Sequence, residues 1–477
     1  MKDFEAVIGL EVHVQLATHS KIFAVSSTKS GAEPNTFTDP VTLALPGCLP
    51  VLNKRVLDFA IKLGLATNCK IMRESILARK HYHYPDLPKG YQISQYDKPI
   101  CLAGHVNVRV GGDVKRIGLT RIHLEEDAGK SVHLDAAPIS LVDLNRAGVP
   151  LVEIVSEPDI RNAEEAGAYM RQLRQIVRYL DICDGNMEEG SLRCDANVSV
   201  RKIGATEFGT KVEIKNLNSF RYVEKAIDYE IERQIGVITS GGTIVQETRL
   251  WDDVSGETRS MRSKEYADDY RYFPDPDLLP LIVDDDWIDN VRKTLPELPE
   301  QAYRRFTNTY KLDPYIVELL TEEKLVSSYF DQAVSLHNNP TSIANWITTE
   351  LFGRLNKEGT NLTECPVSPE NLAQLVKLID DGTISGKIAK TVFDEMFETG
   401  GSPAHIVETK GLRQVSDSGL IREAINAVIT ANPEQVQSYK SGKTKVFGFF
   451  VGQVMKDTQG KVNPTLLNEL LKKTLDS

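Results

Sequence analysis

Three consecutive acidic residues, Glu125, Glu126 and Asp127, lie between two histidines in the segment IHLEEDAGKSVH, residues 122–133. Carboxylates at this density suit a hard cation such as Mg²⁺, which commonly bridges protein acids and substrate phosphates. The triplet Gly-Lys-Ser that follows is similar to the end of a phosphate-binding loop, but the position five residues before Gly129 is Leu124 rather than glycine. If the protein binds a nucleotide, we expect it to do so without that loop.

Predicted strands elsewhere in the chain carry polar stripes of the same kind. Successive side chains of a strand point to opposite faces, so residues two apart share a face. In the first stripe, Glu11 and His13 lie together while Leu10, Val12 and Val14 lie opposite. The other groups that share a face are Arg121 with His123 and Glu125, Arg193 with Asp195 and Asn197, and Lys211 with Glu213 and Lys215.

Glu153 differs from these residues because its neighbours, residues 151, 152, 154 and 155, are all apolar. This pattern predicts a strand that is buried on both faces. A buried carboxylate must be paired, bound to a cation or protonated.

Any one of these stripes is more typical of a solvated sheet face than of a site. A lone His13 is usually structural, and the Lys211–Lys215 stripe is also what a surface charge ladder looks like. The convergence of several carboxylates with Glu153 favours a cation site, for which Mg²⁺ is the best candidate. The residues alone do not name a reaction.

Composition restricts the class of protein. A chain of 477 residues predicts two to three domains, and a net charge of −11 disfavours a broad basic face for nucleic acid. The six cysteines are scattered without a C-x-x-C pair, which is typical of free thiols in a reducing compartment. With neither a secretory signal nor a long apolar run, we expect a cytoplasmic protein without a membrane span.

Hydrophobic periodicity predicts an α+β protein with three parts. Residues 1–293 show short alternating segments, and we expect a mixed domain there, whereas 294–405 and 406–477 have helical spacing and are joined near the Gly- and Pro-containing segment 398–405. The proline-rich segment 271–280 should be extended. We predict strands at 119–125, 138–145, 150–157, 191–200 and 210–215, and helices at 163–180, 220–235, 416–429 and 463–475.

Several long blocks occur in one order along the chain, among them IGLEVHVQL (8–16), LEEDAGKS (124–131), LVDLNRAGVPLVEIVSEPD (141–159), EEGSLRCDANVS (188–199) and DDYRYFPDPDLLPL (268–281). With these blocks the sequence resembles the B subunits of the bacterial aspartyl/glutamyl-tRNA amidotransferases over essentially its whole length. The resemblance implies a cradle-shaped catalytic domain, a helical domain and a small helical tail.

The resemblance also implies an activity within a heterotrimer. An amidase, the glutaminase component, releases ammonia from glutamine, and a small third component wraps around the other two. The B component binds tRNA misacylated with glutamate or aspartate, uses ATP and Mg²⁺ to phosphorylate the side-chain carboxylate, and lets ammonia displace the phosphate. Such a chain is an ATP-dependent carbon–nitrogen ligase.

The resemblance implies roles for the polar stripes. Phosphorylating a carboxylate requires one pocket that contains both acids, which bind the metal, and cationic side chains, which bind phosphate. The expected metal ligands are Glu11, His13, Glu125 and Glu126. Glu153, Asp195 and Glu213 are expected as further ligands or as residues that hold metal-bound water. Arg193, Lys211 and Lys215 are expected to contact phosphate.

One departure from the family concerns zinc. Many relatives carry four cysteines at places where this chain has Ala24, Ser26, Asp39 and Thr42. Without thiolates no tetrahedral zinc site of that kind forms, so we expect the loop of about residues 23–45 to keep its shape through its prolines and local packing.

Two other functions compete with this one. A tRNA-binding adaptor whose acids are structural is disfavoured, because acidic stripes repel phosphate unless a cation intervenes. A stand-alone ligase is disfavoured by the lack of a motif that generates ammonia. The segment 435–477 has seven lysines and three acids, which favours a clamp on the tRNA body, hinged near Gly400-Gly401, over a small bundle with no partner.

Overall fold

The computed structural model describes residues 3–134, 139–263, 270–414, 417–458 and 461–476. The chain divides into two compact units, Met1–Pro299 and Glu300–Ser477. The first unit is built on a large sheet with helices, and in the second the regular elements among the described residues are helices. The predicted α+β class is confirmed.

The strands all belong to the first unit. They are β1 Phe4–Gln15, β2 Lys70–Ile71, β3 Glu74–Ser75, β4 Ala78–His81, β5 Tyr91–Ser94, β6 Cys101–Val110, β7 Asp113–Glu126, β8 Lys130–His133, β9 Ser140–Asp143, β10 Pro150–Ser156, β11 Leu192–Lys202, β12 Val212–Lys215, β13 Glu247–Asp252, β14 Glu257–Ser263, β15 Phe273–Pro274 and β16 Leu281–Ile282.

The helices occur in both units. In the first unit they are α1 Lys54–Ala66, α2 Ala163–Tyr179, α3 Phe220–Thr239 and α4 Asp285–Arg292, and α5 Pro299–Thr309 begins at its last residue. The second unit contains α6 Pro314–Thr321, α7 Lys324–Leu336, α8 Pro340–Asn345, a π-helix at Trp346–Leu351, α9 Phe352–Glu358, α10 Pro369–Asp380, α11 Gly386–Thr399, α12 Pro403–Thr409, α13 Ser418–Ala431, α14 Pro433–Lys440, α15 Phe447–Asp457 and α16 Pro464–Asp476. Short 3₁₀ helices lie at Leu362–Glu364 and Thr444–Val446.

A nine-stranded sheet with the order β14-β13-β12-β11-β1-β10-β7-β6-β2 forms the centre of the first unit. Its neighbours are antiparallel except for the parallel pair β12–β13. Smaller sheets are formed by β15-β4-β5, by β16-β3 and by the hairpin β8-β9. The long β1 lies between β11 and β10, so its side chains are central to the sheet.

One face of the large sheet packs on helices. Leu10, Val12 and Val14 of β1 are fully buried in a hydrophobic core that also contains apolar residues of α1, α2 and α3. The helices begin where the sequence supplies a side-chain acceptor for the free amides of the first turn. Asn162 caps α2 and Ser219 caps α3 in this way. The alternation of β1 therefore leaves Glu11 and His13 on the opposite face.

Most predicted elements are present, with shifted ends. The strand predicted at 119–125 is part of the longer β7, and 150–157, 191–200 and 210–215 correspond to β10, β11 and β12. Of the strand predicted at 138–145, β9 is present and residue 138 lies outside the described residues. The helix predicted at 416–429 begins after Asp417, and residue 416 lies outside the described residues. Asn463 caps α16 as predicted.

The helical unit has two separate hydrophobic clusters, one drawn from residues between Phe306 and Val407 and the other from residues between Ile421 and Leu475. The first cluster includes Ile406 and Val407, which lie beyond the predicted boundary at residue 405, so the division into 294–405 and 406–477 stays a prediction. Within the described ranges, no helix is long and apolar enough to cross a membrane.

The loop of residues 23–45 is organised around the half-buried Asp39. Its carboxylate accepts hydrogen bonds from the hydroxyls of Ser26 and Thr42, the latter at 2.7 Å, and from the backbone amides of Val41 and Thr42 at 2.9 Å. Ser26, Asp39 and Thr42, three of the four positions considered above for zinc, thus form one hydrogen-bonded cluster. The fully buried Lys21 adds a second tie by donating to the carbonyl of Phe37 at 2.7 Å.

We predict that Asp39→Ala loosens this loop, because four donors lose their acceptor. The free energy of unfolding of the loop should fall by about 1–3 kcal/mol, measured by hydrogen exchange of the amides of residues 24–45. Asp39→Asn, which keeps an acceptor oxygen, should retain part of the protection. Equal protection in Asp39→Ala and the unmodified chain would show that the cluster does not hold the loop.

Candidate functional site

A cavity of about 760 Å³ lies over the polar face of the large sheet. Its walls include side chains from β7, β10, β1, β11, β12 and β13, so several strands contribute to one space. Nine of the ten residues predicted for the site line it, namely Glu11, His13, Glu125, Glu153, Arg193, Asp195, Lys211, Glu213 and Lys215. The tenth, Glu126, does not.

Strand register explains why residues so far apart in sequence meet here. His13 lies opposite Arg193 on β11 and opposite Glu153 on β10, and Glu153 lies opposite His123 on β7. A row of four side chains therefore crosses four neighbouring strands. Glu11 lies opposite Asp195 in the adjacent row. Side chains opposite each other on paired strands are close enough to interact directly.

His13, Glu125 and Glu153 form the tightest group of possible metal ligands. His13 Nε2 lies 3.5 Å from Glu125 Oε1 and 3.3 Å from Glu153 Oε2. One ligand atom from each of the three residues lies within 4.8 Å of the others, a spacing at which a single ion reaches all three. Two carboxylates and one imidazole leave room for water and substrate oxygens around Mg²⁺, which usually keeps several waters. The two carboxylates fit the cation expected from the sequence, whereas the imidazole is a ligand more typical of transition metals.

The apolar neighbours of Glu153 in the sequence predicted a fully buried side chain, but 12% of the Glu153 side chain is exposed, and it lines the cavity. The expectation of a strand buried on both faces was wrong at this residue, because one face of β10 is the cavity floor. Its carboxylate is paired, as a carboxylate in this position must be. His13 lies on one side and His123 Nε2 on the other, at 3.4 Å.

The charges of this group are strongly coupled. Burial alone would raise the pKa of Glu153, but the charges and hydrogen bonds of His123 and His13 outweigh it and hold that pKa well below its usual value. Burial alone would likewise lower the pKa of His13, but its hydrogen bond to Glu153 and the charges of Glu125 and Glu153 raise it to about 9. An imidazolium thus offsets the acids, and His13 would have to lose a proton to act as a metal ligand.

A second acidic group lies beside the first, on β1, β11 and β12. Lys215 Nζ donates to Asp195 at 2.7 Å and lies 3.3 Å from Glu213, whose other oxygen accepts a hydrogen bond from Thr248 at 2.7 Å. Glu11 accepts a hydrogen bond from Asn197 at 2.9 Å. Burial, followed by the charges of Glu153, Glu213 and Asp195, raises the pKa of Glu11. The cation of this group is the ammonium of Lys215, whereas the acids around His13 are paired with imidazoles.

Cationic groups on the cavity wall are suited to an anion. Arg193 Nη2 donates to Asp127 at 2.9 Å, which orients the guanidinium, while its buried Nε has no hydrogen-bond partner among the described residues. Arg146 and Lys80 also line the cavity, and the side chain of Lys211 is exposed within it. A buried donor without a hydrogen-bond partner destabilises the folded protein. A ligand oxygen that accepts from Arg193 Nε would remove this free-energy cost.

Sequence reasoning missed several residues of this site. His123 lies on the stripe that we identified but was not chosen, although its ring contacts Glu153. Asp127 directly follows β7, where strand alternation no longer predicts direction, and it orients Arg193 and accepts a hydrogen bond from Gln15 at 2.9 Å. Lys80, Arg146 and Thr248 come from segments with no local sign of a site.

Glu126 points away from the cavity, as its position next to Glu125 on one strand requires. Its carboxylate accepts a hydrogen bond from the amide of Ile93 at 2.9 Å and forms an ion pair with Lys89. Its carbonyl accepts from Gln92 at 2.7 Å. These contacts tie β7 to β5, and the placement gives no support to the expected role of Glu126 as a metal ligand.

Comparison with known proteins identifies relatives along nearly the whole chain. Residues 6–289 match the family model described as GatB/GatE catalytic domain, and residues 328–475 match the model described as GatB domain. The B subunits of several bacterial aspartyl/glutamyl-tRNA(Asn/Gln) amidotransferases are similar to it: that of Geotalea daltonii is 60% identical over 476 residues, 99% of each chain. That of Trichlorobacter lovleyi is 60% identical over 472 residues, again 99% of each chain. The Carboxydothermus hydrogenoformans protein is 54% identical over 478 residues, 100% of this chain and 99% of that one.

We predict that the neighbouring substitutions Glu125→Gln and Glu126→Gln separate metal binding from stability. Glu125→Gln should weaken Mn²⁺ or Mg²⁺ binding to the full-length chain by at least about tenfold, because ligand and supporting residues of metal sites have effects of this size. Calorimetric titration measures the affinity. Glu126→Gln should leave it largely unchanged and instead lower the melting temperature, since the Lys89 ion pair is lost. Equal losses of metal affinity in both variants would contradict this assignment.

Proposed function

Because the chain belongs to the family of aspartyl/glutamyl-tRNA(Asn/Gln) amidotransferase B subunits, we propose that it activates and amidates the acidic side chain on misacylated tRNA. The substrates are Glu-tRNA(Gln), Asp-tRNA(Asn) or both. The γ-phosphoryl group of ATP is transferred to the side-chain carboxylate, giving an acyl phosphate and ADP. Ammonia then attacks the acyl carbon, and phosphate leaves as the amide forms.

The observation that carries this proposal is the pairing of a metal-binding group with cations in one cavity. His13, Glu125 and Glu153 would hold Mg²⁺, which supplies charge neutralisation at the transferred phosphoryl group. Arg193, Lys211 and Lys215 would bind phosphate oxygens. Asp127 holds Arg193 in position at 2.9 Å, so the guanidinium does not have to reorganise when phosphate arrives.

The second acidic group would complete the site from the other side. Glu11, Asp195 and Glu213 lie next to the first group, and Lys215 is held between two of them. Burial opposes the charge on Lys215, but the charges of Asp195 and Glu213 and their hydrogen bonds raise its pKa, so it stays protonated at neutral pH. We propose that these acids hold metal-bound water or a further cation and keep Lys215 directed into the cavity.

The same acids argue against an adaptor without catalytic activity. Six carboxylates line the cavity, and an RNA end or nucleotide entering it would be repelled unless cations intervened. A binding surface for RNA has no need of such a group. An activating site does, because its cations must be held where negative charge accumulates.

The name of the relatives denotes one component of a complex. We propose that the partners are an amidase (glutaminase) component, which supplies ammonia from glutamine, and a small third component, so that the complex is a heterotrimer. No sequence motif of this chain generates ammonia, which supports an external source. The cytoplasmic location and the absence of zinc from the loop of residues 23–45 remain part of the proposal.

We propose that the tail contacts the body of the tRNA. Phe450 is buried in the hydrophobic cluster of the tail, whereas Phe449 is 43% exposed. Lys440, Lys443 and Lys445 are exposed before it. This arrangement offers positive charge on a stable helical base, which is typical of phosphate contacts that position an RNA without reading its sequence.

We predict that Glu125→Ala in the assembled enzyme abolishes ATP-dependent amide formation on misacylated tRNA, because the metal-binding group loses a carboxylate. Glutamine hydrolysis should survive, since it uses the site of the amidase partner. The two reactions are measured in one preparation by product tRNA and by released glutamate. Near-normal amide formation in Glu125→Ala would refute the proposed site.

We predict that replacing Lys440, Lys443 and Lys445 by alanine raises the KM for tRNA and flattens its dependence on salt. Each lost phosphate contact should reduce the slope of log affinity against log salt by about 0.7–0.9. The KM for ATP should not change. Lys473→Ala is the matched control, because Lys473 is exposed in the same tail but paired with Glu469 at 2.8 Å. An unchanged slope in the triple variant would remove the tail from tRNA binding.

A further inference from the structure

Four tyrosine rings follow one another from the cavity wall to the outer surface. Tyr82 and Tyr270 line the cavity, with their ring centroids 6.4 Å apart. Tyr272 packs edge-on against Tyr270 at 6.2 Å, and Tyr96 stacks on Tyr272 at 4.4 Å with an angle of 10° between the rings. We call these four residues the tyrosine ladder. The proposed catalytic roles make no use of it.

The ladder is built by one small sheet from three distant segments. Tyr82 follows β4, Tyr96 comes after β5, and Tyr270 and Tyr272 precede β15, and these strands form the sheet β15-β4-β5. The amide of His81 also donates to the carbonyl of Tyr270 at 2.9 Å. Because backbone pairing fixes all three segments, the order of the rings is a property of the fold.

The outer ring is unusual for a large aromatic side chain. Tyr96 is 52% exposed although it stacks on Tyr272, whereas Tyr169 in the core is completely buried. An exposed ring contributes little to folding. Proteins use accessible aromatic rings to stack unpaired nucleobases, each stacked base being stabilised through its π-face.

The length of the tyrosine ladder favours single-stranded RNA over a mononucleotide as the ligand. ATP carries one base and would occupy one ring face, whereas this row of contacting rings continues from the cavity wall to the exposed Tyr96, a path along which several nucleotides of a single strand would lie. Lys80 supports this choice, because its Nζ lies 4.9 Å from the centre of the Tyr270 ring and it lines the cavity, where a backbone phosphate would pass. The inner end of the ladder opens directly on the proposed activation site.

We propose that the tyrosine ladder binds the unpaired 3′ end of the RNA substrate by base stacking and so directs the aminoacyl ester into the cavity. The identity of this ligand rests on the proposed function. Tyr96 is a positioning residue in this account, because it touches the RNA end and not the reacting atoms. In this proposal ATP binds without contacting Tyr96.

The test compares Tyr96→Ala with Tyr96→Phe in the assembled enzyme. Binding is measured for a labelled acceptor-stem hairpin with four unpaired 3′ nucleotides and for the same hairpin with a blunt end. Tyr96→Ala should raise the Kd of the tailed hairpin by roughly 5- to 100-fold, the effect of losing one stacked base, and leave the Kd of the blunt hairpin unchanged. Tyr96→Phe, which keeps the ring, should bind like the unmodified enzyme.

Tyr315→Ala is the matched control, since Tyr315 is 66% exposed but lies in α6 of the other unit. A rise in the KM for ATP with no change in hairpin binding would assign the outer ring to the adenine of ATP and overturn the proposal. Unchanged binding of both ligands would also overturn it. Amide formation by the unmodified enzyme, measured in the same preparation, tests the proposed function separately from the ladder.

Discussion

Repulsion among carboxylates is the constraint on which the arrangement of the first unit depends. Glu11, Glu125, Glu153, Asp195 and Glu213 all face one cavity, where charges interact more strongly than in water. The fold accommodates them by placing a cationic or hydrogen-bonding group beside each. Imidazoles flank Glu153, an ammonium lies between Asp195 and Glu213, and an amide donates to Glu11. In the group around His13, one ligand atom from each of three residues lies within 4.8 Å of the others, so this is where a single cation reaches all three at once.

The pleat of the sheet determines which of these charged side chains face the cavity. Alternation places the apolar residues of β1 in the helix-covered core and its polar residues in the cavity. The antiparallel register then aligns polar residues of neighbouring strands in rows. Residues outside the rows act on those within them: Asp127 orients Arg193, and Glu126 anchors β7 to β5. The chemistry thus depends on pairing across the sheet more than on any single motif.

Much of the site could be predicted from sequence, because alternation is a local rule. It correctly grouped Glu11 with His13 and His123 with Glu125 on strands that the structure confirms. The same rule places Glu126 and Glu125 on opposite faces of the strand. The expectation that both residues bind one metal rested on the family resemblance and did not apply this rule. Asp127 lies past the end of β7, where no periodicity applies. The tyrosine ladder depends on pairing between β4, β5 and β15, a long-range contact that no local pattern encodes.

The most direct test of the central claim is the position of the metal ion. Crystals of the assembled enzyme grown with Mn²⁺ and a non-hydrolysable ATP analogue would locate it by anomalous scattering. The account predicts a peak within coordination distance, about 2.1–2.3 Å, of His13, Glu125 and Glu153. A peak bound only by Glu11, Asp195 and Glu213, with His13 still hydrogen-bonded to Glu153, would contradict it.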